Sequence, residues 1–414
     1  MNGIALNRVA ARLLALPLVL LALNANAQLQ GEGELSLQTR LFNQSASYAG
    51  QEDQSRSFAM AFNVSGDFGE NIDAEIDVFN RYDDADWERT KGDVRKAYLR
   101  WISPRFEVLA GVNRVFWGVT ETNHLVDIIG QTDLVESPDR ETKLGQAMVA
   151  LTMPIENGLV DFYLLPHFRE QTFPGEEGRL RFSLPIDQDN PLYEDDDEEK
   201  HIDFAARITK SFNSADLALS YFQGTGRDPS YVFSADSPTI LPYYPQIKQL
   251  GLEAQYIKDQ WLFKLESIYR EGQPNLFFEK EDYSALTSGF EYTFYALGGG
   301  VQDLGIIAEF LYDSRDQAAL NPYEEDIAVG ARWALNNLNS AELVVLWIQD
   351  VDRFARVFVI EGSIEMGESL ALSLESTIIS HQPQPSVLTP LESDRLLYDL
   401  RDDDSLQVTL SYYF

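Results

Sequence analysis

The residues best placed for chemistry lie in the segment 114–144, where polar side chains recur at every third position. Glu121, His124 and Asp127 would share one face of a helix, and residues 122–129 predict one or two helical turns. Carboxylates and an imidazole are metal ligands, but one histidine with two carboxylates is a poor zinc site. We therefore expect neither a metal nor a cofactor here, and interpret the three side chains as a polar face.

Histidine chemistry elsewhere in the chain is limited. The four histidines are His124, His167, His201 and His381, and cysteine is absent, which excludes a thiolate nucleophile or ligand. His167 and His201 flank one predicted loop and could form part of a hydrolase site. No serine in a nucleophile motif lies near them, so we do not expect an enzyme.

Two acidic runs, 194–199 and 402–404, are candidates for divalent cations. Neither run has the spaced oxygen ligands and the glycine of an EF-hand loop. Solvated surface loops are the favoured interpretation, and Ca²⁺ or Mg²⁺ binding stays open as the alternative.

The overall charge excludes a large class of partners. The chain has 32 Lys and Arg against 66 Asp and Glu, for a formal net charge of −34. No basic stripe is available to neutralise phosphates, so nucleic-acid binding is not expected. Apolar residues make up 44% and aromatic residues 12%, which is too much for a disordered acidic chain. The charge must therefore be carried by a folded protein.

The first 27 residues are organised as a secretory signal peptide. Two arginines precede an apolar run over 13–23, and Ala25-Asn26-Ala27 forms a small-residue cleavage site. The run is too short for a spanning helix, and no other stretch reaches the length that a helical span needs. We expect 1–27 to be removed and the mature chain to begin at Gln28.

The last ten residues alternate apolar and polar side chains, as in a strand with one face in lipid and one in water. One face carries Leu406, Val408, Leu410, Tyr412 and Phe414, and the other carries Ser405, Gln407, Thr409 and Ser411. An exported chain that ends on phenylalanine at such a strand resembles Gram-negative outer-membrane β-barrels. The resemblance implies an outer-membrane location and recognition by the barrel assembly machinery.

The same alternation predicts about 18 strands, an even number as in single-chain bacterial barrels, although 16 remain possible. The predicted strands are 32–43, 56–66, 71–81, 93–102, 105–113, 145–153, 158–168, 201–211, 215–224, 246–257, 260–270, 284–297, 303–313, 325–336, 340–350, 354–364, 369–380 and 404–414.

The connections alternate between short turns and long acidic loops, the longest being 114–144, 169–200, 225–245 and 381–403. This pattern predicts short periplasmic turns, long outer loops and both termini in the periplasm. The expected fold is all-β: a single transmembrane antiparallel β-barrel over 28–414, without a plug. A barrel of this width should enclose an aqueous channel.

Strand parity predicts which side chains face that channel. In two neighbouring strands Asp73, Glu75 and Asp77 should face Lys96, Tyr98 and Arg100, so that acidic and basic rows pair across the ladder. By the same parity the lumen should also contain Arg40, Arg207, Lys264, Arg332 and Arg356, with Glu253, Glu266, Glu291 and Glu309. Trp101, Trp261, Trp333, Trp347, Tyr412 and Phe414 fit the aromatic girdles of the outer surface.

The segment 114–144 would be the third outer loop, and it is too apolar for a solvated loop. In this respect the layout resembles general porins, whose third loop folds inward and narrows the pore. The resemblance implies a constriction formed by loop residues Arg114, Glu121, His124, Asp127 and Asp133, facing Lys96, Arg100, Lys264 and Arg332 on the wall. Gly111 with Phe116-Trp117-Gly118 resembles, over fewer than ten residues, the strand–loop motif of larger barrels of exporter or unknown type.

These features predict an outer-membrane channel for passive or substrate-selective diffusion of small solutes. The acidic excess would concentrate cations at the mouth, while basic wall residues would bind anionic groups of a solute. The alternative is an export, lipid or hydrophobic-compound conduit that works with a periplasmic partner. Outer-membrane lipid and lipopolysaccharide are the expected surroundings, and monomer and trimer both remain open.

Overall fold

The computed structural model describes residues 28–382 and 395–414, so the predicted signal peptide, 1–27, lies outside the described residues. Eighteen strands form one antiparallel sheet. They are β1 (Gln28–Phe42), β2 (Gln54–Asp67), β3 (Ile72–Asp83), β4 (Lys91–Ile102), β5 (Glu107–Asn113), β6 (Gln146–Ile155), β7 (Gly158–Leu165), β9 (Asp203–Phe212), β10 (Ala215–Thr225), β13 (Gln246–Lys258), β14 (Trp261–Pro274), β15 (Lys280–Phe294), β16 (Asp303–Asp313), β17 (Glu325–Ala334), β18 (Glu342–Asp350), β19 (Arg356–Met366), β20 (Leu370–Ser380) and β21 (Ser405–Tyr413).

Every one of these strands pairs with its neighbour along the chain, and the sheet closes because β1 also pairs with β21. The seam runs from the pair Glu34–Tyr413 to the pair Phe42–Ser405. At its end Gly33 and Phe414 exchange two backbone hydrogen bonds. The predicted strand number, strand order and closed all-β fold are confirmed, and closure leaves no exposed sheet edge.

The loop end of the barrel carries the remaining secondary structure. Three short strands, β8 (Leu192–Tyr193), β11 (Ser230–Phe233) and β12 (Ile240–Tyr244), form a separate sheet that the alternation did not predict. Single 3₁₀ turns occupy Glu198–Lys200, Leu297–Gly299 and Asp316–Ala318, and one α-helical turn spans Arg395–Tyr398. Among the described residues, no helix is long and apolar enough to cross a membrane.

The two faces of the strands differ as parity predicts. On the outer face Leu37, Leu99 and Phe62 are between 44% and 60% exposed, as expected for side chains that contact lipid. The predicted girdle residues also lie outside: Trp261 packs against Phe263 and Tyr292 on neighbouring outward positions.

The inward face carries the expected charged rows. Arg100 pairs with Asp73 at 2.9 Å and Lys96 with Glu75 at 3.0 Å, which confirms that acidic and basic rows meet across β3 and β4. A β-bulge between Asp77 and Val78 shifts the register here. It leaves Arg95 stacked on the ring of Phe79, on the same inner face as Lys96.

Arg356 departs from the prediction of an inward side chain. It pairs in register with Gln349, and its guanidinium lies over the outward ring of Trp347. The inward residues of β19 are instead Val357, Val359 and Glu361. The prediction was wrong because β19 is apolar on both faces over 357–360, so alternation does not fix its parity.

The assignment of lipid-facing and lumen-facing residues on β21 can be tested directly by mutation. Leu410 lies on the lipid side, 39% exposed, whereas Thr409 faces inward and accepts a hydrogen bond from Gln38. We expect Leu410→Asp to destabilise the barrel by up to about 2–4 kcal/mol, because it places a carboxylate against lipid, and Thr409→Asp to be tolerated. Urea unfolding in lipid vesicles measures both, and equal losses would contradict this facing.

Candidate functional site

The loop 114–144 contains no helix, so the helical turns predicted over 122–129 are wrong. The backbone N–H groups that would begin a helix are hydrogen-bonded to wall carboxylates. Glu266 on β14 accepts from the amides of Val119 and Thr120, at 2.7 and 3.0 Å, and from Val126 at 3.2 Å. Its side chain also accepts from the Thr120 hydroxyl at 2.7 Å.

Glu309 on β16 holds the next two residues in the same way. Its two carboxylate oxygens accept from the amides of Glu121 and Thr122, at 2.8 and 3.0 Å, and from the Thr122 hydroxyl at 2.7 Å. Both glutamates are buried inward residues. The segment that leaves β5 therefore contacts strands far around the barrel from its own ends.

The apolar side chains of the loop pack against the inner wall. Trp117, Val126, Ile128 and Ile129 are buried in one cluster. The wall contributes Met148, Tyr163, Leu165, Phe222, Ile247 and Ile268 to that cluster, from the five strands β6, β7, β10, β13 and β14. Burial of these side chains explains why the loop is too apolar for a solvated one.

Glu121 meets two of the predicted wall cations. Its carboxylate pairs with Lys264 at 3.1 Å and with Arg332, which also pairs with Glu342 at 2.5 Å. The acidic loop residue and the basic wall residues, which were predicted to face each other across the pore, are therefore in direct contact here.

His124 and Asp127 line the same cavity as Glu121 but have partners of their own. Asp127 pairs with Lys143 at 2.9 Å and accepts from the Trp117 amide at 3.2 Å, and its burial raises its pKa. His124 contacts two carboxylates, Glu141 at 3.2 Å and Glu266 at 3.7 Å. These two residues hold the loop in place through their ion pairs, in addition to lining the cavity.

The surroundings of His124 make it a cation. Burial alone would lower its pKa, but the hydrogen bond to Glu141 and the charge of Glu266 raise it to about 10. Because the folded pKa is raised, the pairing contributes full stability below the unfolded value of 6.5 and loses it as pH rises through about 10.

The remaining predicted site residues are also paired. Arg114 lies 3.1 Å from Asp77, and Asp133 pairs with Lys91 and accepts from Thr172 at 2.8 Å. Together with Lys96 and Arg100 on β4, these charges are compensated by neighbours.

A cavity of about 380 Å³ lies between the segment 114–144, the inner wall and the other outer loops, and we call it the chamber. Its lining includes Arg140, Arg227, Arg270 and Arg315, together with Tyr283. None of the four arginines belongs to the predicted site. No sequence pattern distinguishes them from other arginines at strand ends, because they are brought together from three separate loops and from strand β14.

The chamber has two further surfaces. Glu361 of β19 and the loop residues Asp139 and Glu141 supply carboxylates, and Glu361 stands directly opposite Glu375 on β20. We call Leu346, Ile348, Val359 and Leu397 the apolar strip. The sequence does indicate an inward apolar surface here, because residues 343–348 are apolar on both faces of β18.

Three buried acidic side chains form a separate cluster at the loop end of β17 and β18. The carboxylate oxygens of Glu324, Asp326 and Asp350 lie within 4.8 Å of one another. Arg353 pairs with Glu324 at 3.4 Å and donates its backbone N–H to Asp350. The cluster carries its own cation, and we assign no metal to it.

The histidine pair considered for hydrolysis has another environment. His201 lies 2.8 Å from Asp203, whose other oxygen pairs with Arg227 at 2.8 Å. Within the described ranges, no serine hydroxyl is hydrogen-bonded to His167 or His201.

Solved structures share this architecture. A BenF-like porin from Pseudomonas fluorescens is 10% identical with a TM-score of 0.53, over 94% of this chain and 98% of that one. OpdQ of Pseudomonas aeruginosa is 12% identical with a TM-score of 0.51, over 94% and 98% of the two chains. The fold is that of outer-membrane porins.

A third structure, OccK3 of Pseudomonas aeruginosa, is 9% identical with a TM-score of 0.51, over 93% of this chain and 96% of that one. The sequence matches no protein-family model and no curated protein. The porin fold, with its apolar outer band, places the chain in the outer membrane.

The anchoring of the loop can be tested by amide exchange. Hydrogen bonds to a charged group contribute about 1.5–3 kcal/mol, so Glu266→Gln should speed exchange of the Val119, Thr120 and Val126 amides by about tenfold or more. Hydrogen exchange of the folded protein in lipid measures this. Glu291→Gln is the matched control, since Glu291 faces the lumen and its nearest cation, Arg332, is 4.0 Å away. Unchanged exchange in Glu266→Gln would contradict the anchoring role.

Proposed function

We propose that the protein is a passive outer-membrane channel for small solutes, with loop 114–144 as its constriction. The observation that carries the proposal is the attachment of the loop to inward carboxylates. Glu266 and Glu309 hold five backbone amides of the loop against strands β14 and β16. A segment fixed at those positions occupies part of the lumen and leaves the passage beside it.

The proposed passage runs through the chamber, between the loop and the strands β18, β19 and β20. Arginines line the chamber, and so do the carboxylates of Glu361 and Asp139. A field between such surfaces would sort solutes by charge. Selectivity is assigned to Glu361, Asp139 and the Arg140–Arg270 pair, which shares the one carboxylate of Asp228. Glu121, Asp127, Lys264 and Arg332, by contrast, neutralise one another or a close neighbour.

The channel would work without catalysis, in contact with outer-membrane lipid and lipopolysaccharide. Its insertion would depend on the signal peptide 1–27 and on recognition of the final strand by the barrel assembly machinery. Monomer and trimer both satisfy this proposal.

A second candidate is transport of hydrophobic compounds, alone or with a periplasmic partner. The apolar strip favours it, because an inward apolar surface is unusual in a water-filled pore. Single-channel recording separates the two: a conduit for hydrophobic compounds would give no steady ionic conductance, whereas a diffusion channel would.

Deletion of residues 119–140 tests the constriction. The shortened protein should show a higher single-channel conductance in planar bilayers, because the part of the loop held by Glu266 and Glu309 is gone. Heat-modifiable migration would establish that the variant barrel is closed. The same conductance before and after deletion would place the loop outside the permeation path.

Neutralising the acidic side of the chamber tests the origin of selectivity. Glu361→Gln with Glu375→Gln should lower the ratio of K⁺ to Cl⁻ permeability in a salt-gradient reversal potential, since two facing carboxylates are lost. Glu156→Gln, in the exposed turn between β6 and β7, is the matched control and should leave the ratio unchanged. An unaltered ratio in the double variant would remove these groups from the permeation path.

A further inference from the structure

We propose that the chamber binds amphipathic anions, meaning solutes with one anionic head and an apolar body. This proposal rests on the channel function proposed above and names the class of solute that the channel would take. It depends on an arginine with an unused donor and on an apolar surface in the same cavity.

Arg315 supplies the site for the anionic head. Its Nε and Nη2 donate to the carboxylate of Asp313 at 2.9 and 2.6 Å. Its Nη1 has no hydrogen-bond partner within residues 28–382 and 395–414, although the side chain is only 3% exposed and lines the chamber. A buried donor without an acceptor is unfavourable, and an anionic oxygen in the chamber would supply that acceptor.

The neighbours of Arg315 strengthen this side of the chamber. Arg270 and Arg140 share a single carboxylate, that of Asp228, so the pair retains one positive charge. The ring of Tyr283 lies 3.5 Å from the guanidinium of Arg315 and 5.7 Å from that of Arg270. Stacking on one ring limits the movement of both cations and keeps them directed at the same region.

A second donor without a partner faces the same cavity. The side chain of Gln171 lines the chamber, and its buried Nε2 also lacks a hydrogen-bond partner among the described residues. The unpartnered Nη1 of Arg315 and the net positive charge of the Arg270–Arg140 pair favour an oxygen-rich anionic head over an ammonium group.

The apolar strip supplies the surface for the body of the solute. Leu346 and Ile348 come from β18, Val359 from β19 and Leu397 from the last outer loop. A solute with hydrocarbon would remove water from this surface, which a compact hydrophilic ion cannot do. The cavity volume of about 380 Å³ is at the lower end of small-molecule sites, which suits a short amphipathic molecule.

The carboxylates of Glu361 and Asp139 determine the orientation of the solute in the chamber. They line the same chamber as the arginines and repel a negative group. An anionic head is thereby directed to Arg315 and Arg270, while the body lies along the apolar strip.

Three probes test the proposal on the unmodified protein in planar bilayers. Octanoate has the head and the body, acetate has the head alone, and octylammonium has the body with the opposite charge. Octanoate should interrupt the ion current at concentrations about tenfold or more below those of the other two, because only octanoate satisfies both surfaces. Equal potency of octanoate and either other probe would overturn the proposal.

Variants locate the site. Arg315→Gln should raise the blocking concentration of octanoate about tenfold and leave that of octylammonium unchanged. Arg356→Gln, an arginine on the outer face of the barrel, is the matched control and should change neither. If Arg315→Gln does not assemble, Ile348→Thr replaces it, with octanoate affinity again expected to fall; no change in the assembled variant contradicts the site.

Binding measured apart from conductance separates this proposal from the channel function. Calorimetry of octanoate against the protein in lipid nanodiscs, corrected with empty nanodiscs, should show binding that Arg315→Gln weakens. Binding by a protein that conducts no ions would overturn the channel and leave the site. Steady conductance with no selective octanoate binding would overturn the site and leave the channel.

Discussion

Backbone amides inside a barrel must find acceptors, and in this protein two wall glutamates provide them. A closed sheet uses all its own backbone groups, so a segment within it cannot add itself as a further strand. Glu266 and Glu309 accept from consecutive amides at 119–122, where a helix would have left its first N–H groups unsatisfied. The shape of the loop, and the chamber beside it, depend on these two carboxylates.

Charge compensation is the second organising feature. The chain is strongly acidic, yet several cations of the lumen are bound to carboxylates at close range, as in the pairs of Lys264 with Glu121 and Arg207 with Glu253. Buried pairs of this kind stabilise little by themselves, but loss of one partner leaves an unfavourable buried charge. They therefore fix the geometry of the wall, and the uncompensated charges belong to fewer residues, such as Glu361 and the Arg270–Arg140 pair that shares one carboxylate.

Local alternation predicted the barrel well, because each strand has a lipid face and a lumen face whose residues differ. All 18 strands, the closure of β21 on β1 and the pairing of Arg100 with Asp73 agree with it. Alternation failed at Arg356, where both faces of the strand are apolar. The helix predicted from the spacing of Glu121, His124 and Asp127 is absent for another reason. The groups that decide the conformation of this segment lie on β14 and β16, more than a hundred residues away. The arginines of the chamber come from three loops and from strand β14, and they could not be grouped from the sequence.

The seam between β1 and β21 has a consequence for the kinetics of folding. The hydrogen bond between Ser411 and Glu34 joins residues 377 positions apart, and the ring of Phe414 covers Gly33 so closely that a methyl group there would overlap it. The chain loses the entropy of closing so long a loop before the contacts of the seam can stabilise the barrel. Every other barrel pairing joins barrel strands that are consecutive along the chain, so those hairpins can form early and independently. Closure is then a late, single event that requires both the first and the last strand. Its rate depends on how well the ring of Phe414 fits against Gly33.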